Sequence, residues 1–94
     1  MENKVKVIEV MEKFANELKK YHPNFETTKY VQETLLELKK SEGVAFTGKL
    51  QYFFNRVLVV KLSDGIKFNE SEKRYWKELS SFVELGNNLW GASL

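Results

Sequence analysis

Apolar residues recur every three or four positions along most of the chain, which is the spacing of one face of an α-helix. In the first segment the apolar positions are Val7, Ile8, Met11, Phe14, Ala15 and Leu18. Pro23 follows and cannot continue a helix. The same periodicity returns three times, so the pattern predicts four helices, over about residues 3–21, 27–42, 46–64 and 70–86, with a tail at 87–94.

Two glycines mark predicted helix ends. Each is followed by an apolar residue and preceded by another about one turn back: Leu38, Gly43 and Val44 in one case, Val60, Gly65 and Ile66 in the other. This is the spacing of a Schellman cap, in which a left-handed glycine turns the chain and the flanking apolar side chains meet. We therefore predict that one helix ends at Gly43 and another at Gly65.

The stretch at residues 56–62, RVLVVKL, fits two interpretations. Its β-branched residues are typical of a buried strand. However, no second convincing strand exists to pair with it, and an isolated strand leaves its backbone polar groups unmatched. The apolar stripe that starts at Phe46 also continues through this stretch at helical spacing. We therefore predict that it belongs to the third helix.

The last helix has a recognisable start, because Asn69 with Glu72 three residues later resembles a capping box. Four amphipathic helices with short connections pack most simply as an antiparallel up-down-up-down four-helix bundle, here a single all-α domain over residues 1–94. The predicted core consists of Phe14, Leu18, Leu35, Leu38, Phe53, Val57, Leu79 and Phe82.

The composition argues against nucleic-acid binding, secretion and membrane spanning. The 15 basic and 13 acidic residues give a net charge of +2, and only Arg56 and Arg74 are arginines, so the basic face of a nucleic-acid binder is not evident. Cysteine is absent, which fits a reducing compartment. The N-terminus is not a secretory signal, and the longest apolar run, residues 57–60, is far too short to span a bilayer. We expect a soluble, cytoplasmic protein.

The residues that could carry chemistry do not form a catalytic or metal-binding pattern. His22 is the only histidine and lies beside Pro23, so we interpret it as an exposed turn residue. Glu33 and Glu37 have no histidine partner on a neighbouring turn, as a metal site in a bundle would require. No glycine-rich phosphate loop is present. We expect no enzyme activity, no cofactor and no bound metal.

The third helix carries more apolar residues than one stripe can bury. Tyr52, Val59 and Leu62 lie away from the face that contains Phe53 and Val57. This excess indicates either a wide buried face or a groove for a partner.

The segment from about Val31 to Gly86 resembles the immunity proteins that protect bacteria from class IIa, or pediocin-like, bacteriocins. The resemblance lies in a leucine-rich helix ending in LKKSEG, then LQYFFNRV, a DGIKFNESE turn and a helix reading KELSSFVEL. It implies a cytoplasmic four-helix bundle that confers resistance to an antimicrobial peptide. In that family the protein recognises the bacteriocin-occupied membrane receptor, the mannose phosphotransferase permease, and blocks the pore from the cytoplasmic side.

The resemblance also implies where such a partner would bind, because the C-terminal half of the family sets which bacteriocin is resisted. Carried onto this chain, the implied partner-binding residues are Lys61, Asp64, Lys67 and Asn69 near the turn, Arg74, Lys77 and Ser81 on the fourth helix, and Asn87, Asn88 and Trp90 in the tail. The protein would then sit peripherally at the inner face of the membrane when engaged.

Two other functions fit a small helical protein. The third and fourth helices could form the helix-turn-helix of a DNA-binding regulator, although that motif prefers a turn of three or four residues and a basic recognition helix. The chain could also be an antitoxin-like inhibitor of a soluble protein.

Overall fold

The computed structural model describes the backbone of residues 2–91 and the side chains of residues 4–82. It contains four helices: α1 (Glu2–Tyr21), α2 (Glu26–Lys40), α3 (Gly43–Asp64) and α4 (Glu70–Gly91). No strand is present between residues 2 and 91, so the prediction of an all-α chain with four helices is confirmed. Helix α1 packs against both α2 and α4, and α2 packs against α3.

The RVLVVKL stretch is helical, as predicted, and forms the second half of α3. Val57 is fully buried against the core, whereas Val59 is exposed on the opposite side of the helix. The β-branched residues of this stretch therefore lie on two different faces of one helix. A strand at this place would have had no neighbour within the described residues to accept its hydrogen bonds.

The predicted helix end at Gly65 is confirmed. Gly65 adopts a left-handed conformation with φ of 71°, and its amide donates to the carbonyl of Lys61 at 3.0 Å. The next amide, of Ile66, donates to the side chain of Asp64 at 3.0 Å. The cap is therefore an αL cap completed by a carboxylate, with Ile66 buried in the core.

The predicted helix end at Gly43 is wrong. Helix α2 ends at Lys40, and the extended residue Ser41 follows it with φ of −100° and ψ of 151°. Gly43 is left-handed, with φ of 55°, but it begins α3. Val44 is 90% exposed, so the apolar contact that completes a Schellman cap is not made here.

The start of α4 agrees with the predicted capping box, but its end does not agree with the prediction. The helix passes through Gly86 and continues to Gly91, five residues further. A glycine lowers helix stability, but it ends a helix only where its backbone leaves the helical conformation. Residues 87–91 of the predicted tail are thus helical, and residues 92–94 lie outside the described part of the chain.

Side chains from all four helices form one hydrophobic core. Six of the predicted core residues are buried: Phe14, Leu18, Leu38, Phe53, Val57 and Leu79. The other two, Leu35 and Phe82, are half-buried and pack against the edge of the core. Helices α3 and α4 meet through aromatic rings, because Trp76 lies 5.4 Å from Phe54 and 6.5 Å from Phe53 between ring centroids.

Candidate functional site

Four of the predicted partner-binding residues lie in the connection between α3 and α4, residues 65–69, or in the last turn of α3 before it. Asp64 lies at the end of α3 and makes three hydrogen bonds. Its Oδ2 accepts from the amide of Thr27 at 2.7 Å and from the hydroxyl of Thr27 at 2.8 Å, and its Oδ1 accepts from the amide of Ile66. Asp64 therefore caps the beginning of α2, whose own N-cap residue, Phe25, makes no side-chain cap bond.

These hydrogen bonds also set the acidity of Asp64. Partial burial acts to raise the pKa of the carboxyl, but the hydrogen bonds from Thr27 and Ile66 outweigh it and lower the pKa below its ordinary value. The ionised carboxylate is the form that the fold stabilises. A partner that approached this end of the molecule would find both carboxylate oxygens already engaged.

Lys61 lies one turn before the end of α3 and is held against aromatic rings. Its Nζ atom lies 4.3 Å from the ring centroid of Phe68 and 5.5 Å from that of Trp76. Both distances are within the range of a cation–π interaction. The ammonium group is thus positioned beside the 65–69 connection rather than free to move through solvent.

Asn69 forms the predicted capping box with Glu72. The amide of Glu72 donates to Asn69 Oδ1 at 2.9 Å, and the amide of Asn69 donates to Glu72 Oε1 at 2.8 Å. The other carboxylate oxygen of Glu72, Oε2, lies 2.7 Å from Nδ1 of His22. Glu72 is 0% exposed, so this pair links the α1–α2 connection to the start of α4 inside the protein.

The interpretation of His22 as an exposed turn residue is therefore wrong. The imidazole is largely covered, because it pairs with Glu72 and contacts the ring of Phe25 edge-on at 5.2 Å. Its partner is 50 positions away in sequence, and no local pattern in the sequence indicates such a pair. The capping-box spacing identified Glu72 but not its second partner.

The remaining predicted partner-binding residues divide into two groups. Lys67, Arg74, Lys77 and Ser81 are exposed. The hydroxyl of Ser81 donates to the carbonyl of Glu78 at 2.6 Å, so this side chain is bonded to its own helix. Asn87, Asn88 and Trp90 lie on the α4 backbone, and their side chains are outside the described residues. The end of α3 and the start of α4 thus combine fixed polar residues with exposed cations.

The apolar excess on α3 faces solvent. Tyr52, Val59 and Leu62 are all more than half exposed, so the interpretation of a wide buried face is wrong. Beside Tyr52 an open groove of about 810 Å³ runs between α2 and α3, and Gly48 and Tyr30 also line it. Burial, and then the neighbouring Tyr52, raise the pKa of the Tyr30 phenol.

Among the described residues, no three histidine, aspartate or glutamate side chains are grouped so that they could hold a metal ion. No helix within the described part of the chain has the length and apolar content needed to cross a membrane. Comparisons of the chain with protein-family models, curated proteins and solved structures gave no match.

Proposed function

We propose that this chain is an immunity protein against a pediocin-like bacteriocin. It acts by binding from the cytoplasmic side to the mannose phosphotransferase permease once bacteriocin has occupied it, and it blocks the resulting pore. It does so without enzyme activity or a cofactor. The helices are proposed to follow the antiparallel up-down-up-down order of that family.

The observation that carries this proposal is the order in which the resembling segments occur on the helices. LKKSEG spans the junction of α2 and α3, and LQYFFNRV lies within α3. DGIKFNESE contains the whole 65–69 connection, and KELSSFVEL lies within α4. The resembling segments thus follow one another along α2, α3, the 65–69 connection and α4, and they include the exposed Lys67 and Lys77.

The proposed recognition surface is the exposed part of the 65–69 connection and of α4. Lys67, Arg74 and Lys77 are exposed there, and Lys61 is held close by. Asp64 and Asn69 support this surface by fixing the backbone rather than by contacting the partner. The side chains of Asn87, Asn88 and Trp90 would extend the same surface along α4.

The DNA-binding alternative is less favoured. A helix-turn-helix prefers a turn of three or four residues, whereas α3 and α4 are joined by five. The antitoxin alternative has no specific observation in its favour.

The test is expression of the full chain in a strain that is sensitive to pediocin-like peptides, followed by killing assays with a panel of such peptides. We expect increased tolerance to at least one peptide. Unchanged killing across the panel, with the protein expressed and folded, would contradict the proposed function.

A pair of charge-reversal variants tests the recognition surface. Lys67→Glu/Arg74→Glu/Lys77→Glu should lose protection, because it reverses three exposed cations of that surface. Lys6→Glu/Lys13→Glu/Lys19→Glu changes the net charge equally on exposed positions of α1 and should retain protection. If both triple variants lose protection to the same extent, the recognition surface has been assigned wrongly.

A further inference from the structure

The second half of α3 presents an uncharged, exposed face. This α3 outer face, opposite the buried Phe53 and Val57, consists of Tyr52, Asn55, Leu58, Val59, Leu62 and Ser63. The exposed fractions are 51% for Leu58, 59% for Val59 and 85% for Leu62. A surface helix normally places its charged residues on the side away from the core. Helix α3 instead places three aliphatic side chains there, in a chain of which 30% is charged.

The charges that α3 itself and the 65–69 connection place beside the second half of this face are mostly cationic, whereas the groove beside Tyr52 carries both signs, with Glu33 and Glu37 opposite Lys40 and Lys49. Arg56 is exposed along one border, and Lys61 and Lys67 lie on the other side and at the end of the helix. Residues 52–68 contain these three cations and one acid, so they hold the entire net charge of +2 and the other 77 residues have twelve charges of each sign. The acid is Asp64, whose carboxylate is engaged by the amides of Thr27 and Ile66.

We propose that the α3 outer face binds the surface of a phospholipid bilayer that carries anionic headgroups. Aliphatic side chains on one face of a helix enter the boundary between headgroups and acyl chains, while cations along its borders attract anionic lipid. The long side chain of Arg56 can reach the headgroups while its stem stays against apolar surface, and the exposed Lys67 lies near the end of the helix. The helix would lie along the membrane plane without crossing it.

A lipid surface fits these features better than a protein does. The outer face is the convex side of a single helix, which suits a broad deformable surface, whereas protein partners insert anchoring side chains into pockets. In a symmetric dimer this patch would face itself. The cationic borders of the two copies would then lie against each other.

This proposal goes beyond the proposed function, because it concerns the bare bilayer and a different face of the molecule. Its test therefore uses neither bacteriocin nor receptor. The full chain is sedimented with vesicles of phosphatidylcholine alone and with vesicles that also contain phosphatidylglycerol. We expect binding to the anionic vesicles that weakens as salt is added, and little binding to the neutral ones.

Two variants locate the contact. Val59→Gln/Leu62→Gln should lower partitioning into anionic vesicles about tenfold or more, because it removes two apolar side chains that would leave water on binding. Arg56→Gln should lower it about fivefold, and only for anionic vesicles. The matched control is Val5→Gln/Tyr21→Gln, which alters exposed apolar residues of α1 and should leave partitioning unchanged. Circular dichroism of each variant establishes that it is folded.

Three results would overturn the proposal. The first is no sedimentation of the folded wild-type chain with anionic vesicles. The second is an equal loss of partitioning in the control variant. The third is a concentration-dependent dimer, lost in Val59→Gln/Leu62→Gln, in a chain that does not bind vesicles; that result would assign the α3 outer face to a second copy of the chain.

Discussion

At the scale of single residues, Asp64 shows how one carboxylate can join three parts of the chain. It ends α3, caps the first turn of α2 through Thr27 and fixes the backbone after Gly65 through Ile66. Thr27 is fully buried, so its amide would have no water to replace the lost partner. The sequence placed Asp64 near a helix end, but its partner lies 37 positions earlier and leaves no local signal.

The first prediction concerns the pH dependence that Asp64 imposes. The pKa of its carboxyl is lowered in the folded protein. The stability that the ionised carboxylate contributes is therefore fully present above the ordinary aspartate pKa of about 4, and it is lost as the pH falls through the lower pKa of the folded state. Asp64→Ala should lower the free energy of unfolding by about 1–3 kcal/mol at neutral pH, because buried amides lose their acceptor. Urea unfolding at neutral and strongly acidic pH measures this difference, and a loss that is equally large in strong acid would contradict the assignment.

The second prediction separates the hydrogen bonds of Glu72, to Asn69 and to His22, from its negative charge. Glu72→Gln keeps an oxygen for the amide of Asn69 and an amide group that can donate to a neutral imidazole, so the free energy of unfolding should change by less than about 1 kcal/mol. Glu72→Ala removes both bonds from a side chain that is 0% exposed and should cost about 2–4 kcal/mol. Chemical denaturation of both variants gives these values. Equal losses in the two would mean that the negative charge itself is essential.

At the scale of whole elements, the glycines show which helix boundaries the sequence can specify. Gly43 and Gly65 both adopt the left-handed conformation that was expected of them. The residues around them looked alike, yet Gly65 ends α3 whereas Gly43 begins it. The difference lies in the following residue, since Ile66 is buried and Val44 is exposed. Burial depends on the packing of distant helices, so local spacing could identify a turn but not the side on which the helix lies.

The third prediction compares Gly65, which caps the end of α3, with Gly48, which lies inside α3. Gly65→Ala should destabilise the protein by about 1–2 kcal/mol, because a side chain is strained at its φ of 71°. Gly48→Ala should stabilise it by about 0.5–1 kcal/mol, because Gly48 lies inside the helix and a methyl group there meets no atom within 4 Å. Thermal unfolding of the two variants tests both signs in one helix. A stabilised Gly65→Ala protein would show that the αL cap is not required.

At the scale of the whole molecule, the helical periodicity was sufficient to predict four helices, and six of the eight residues predicted for the core are buried. The periodicity could not predict which side-chain contacts join the helices to one another. The rings of Phe14, Phe53, Phe68 and Trp76 meet between α1, α3, α4 and the 65–69 connection. Lys61 of the candidate site rests on two of these rings. The position of the proposed recognition surface therefore depends on core packing, which becomes visible only when the helices are assembled.

The last prediction tests this dependence with two adjacent aromatic residues. Phe53 is 1% exposed and contacts the rings of Tyr30, Phe54 and Trp76, so Phe53→Ala should cost about 3–5 kcal/mol of unfolding free energy. Tyr52 directly precedes Phe53 in α3 but is 54% exposed, so Tyr52→Ala should cost less than about 1 kcal/mol of unfolding free energy. Urea denaturation gives both values. Because Trp76 supports Lys61, the loss of packing in Phe53→Ala should also abolish any protection that the chain confers, whereas Tyr52→Ala should retain it. Equal stability of the two variants would show that α3 does not contribute its Phe53 face to the core.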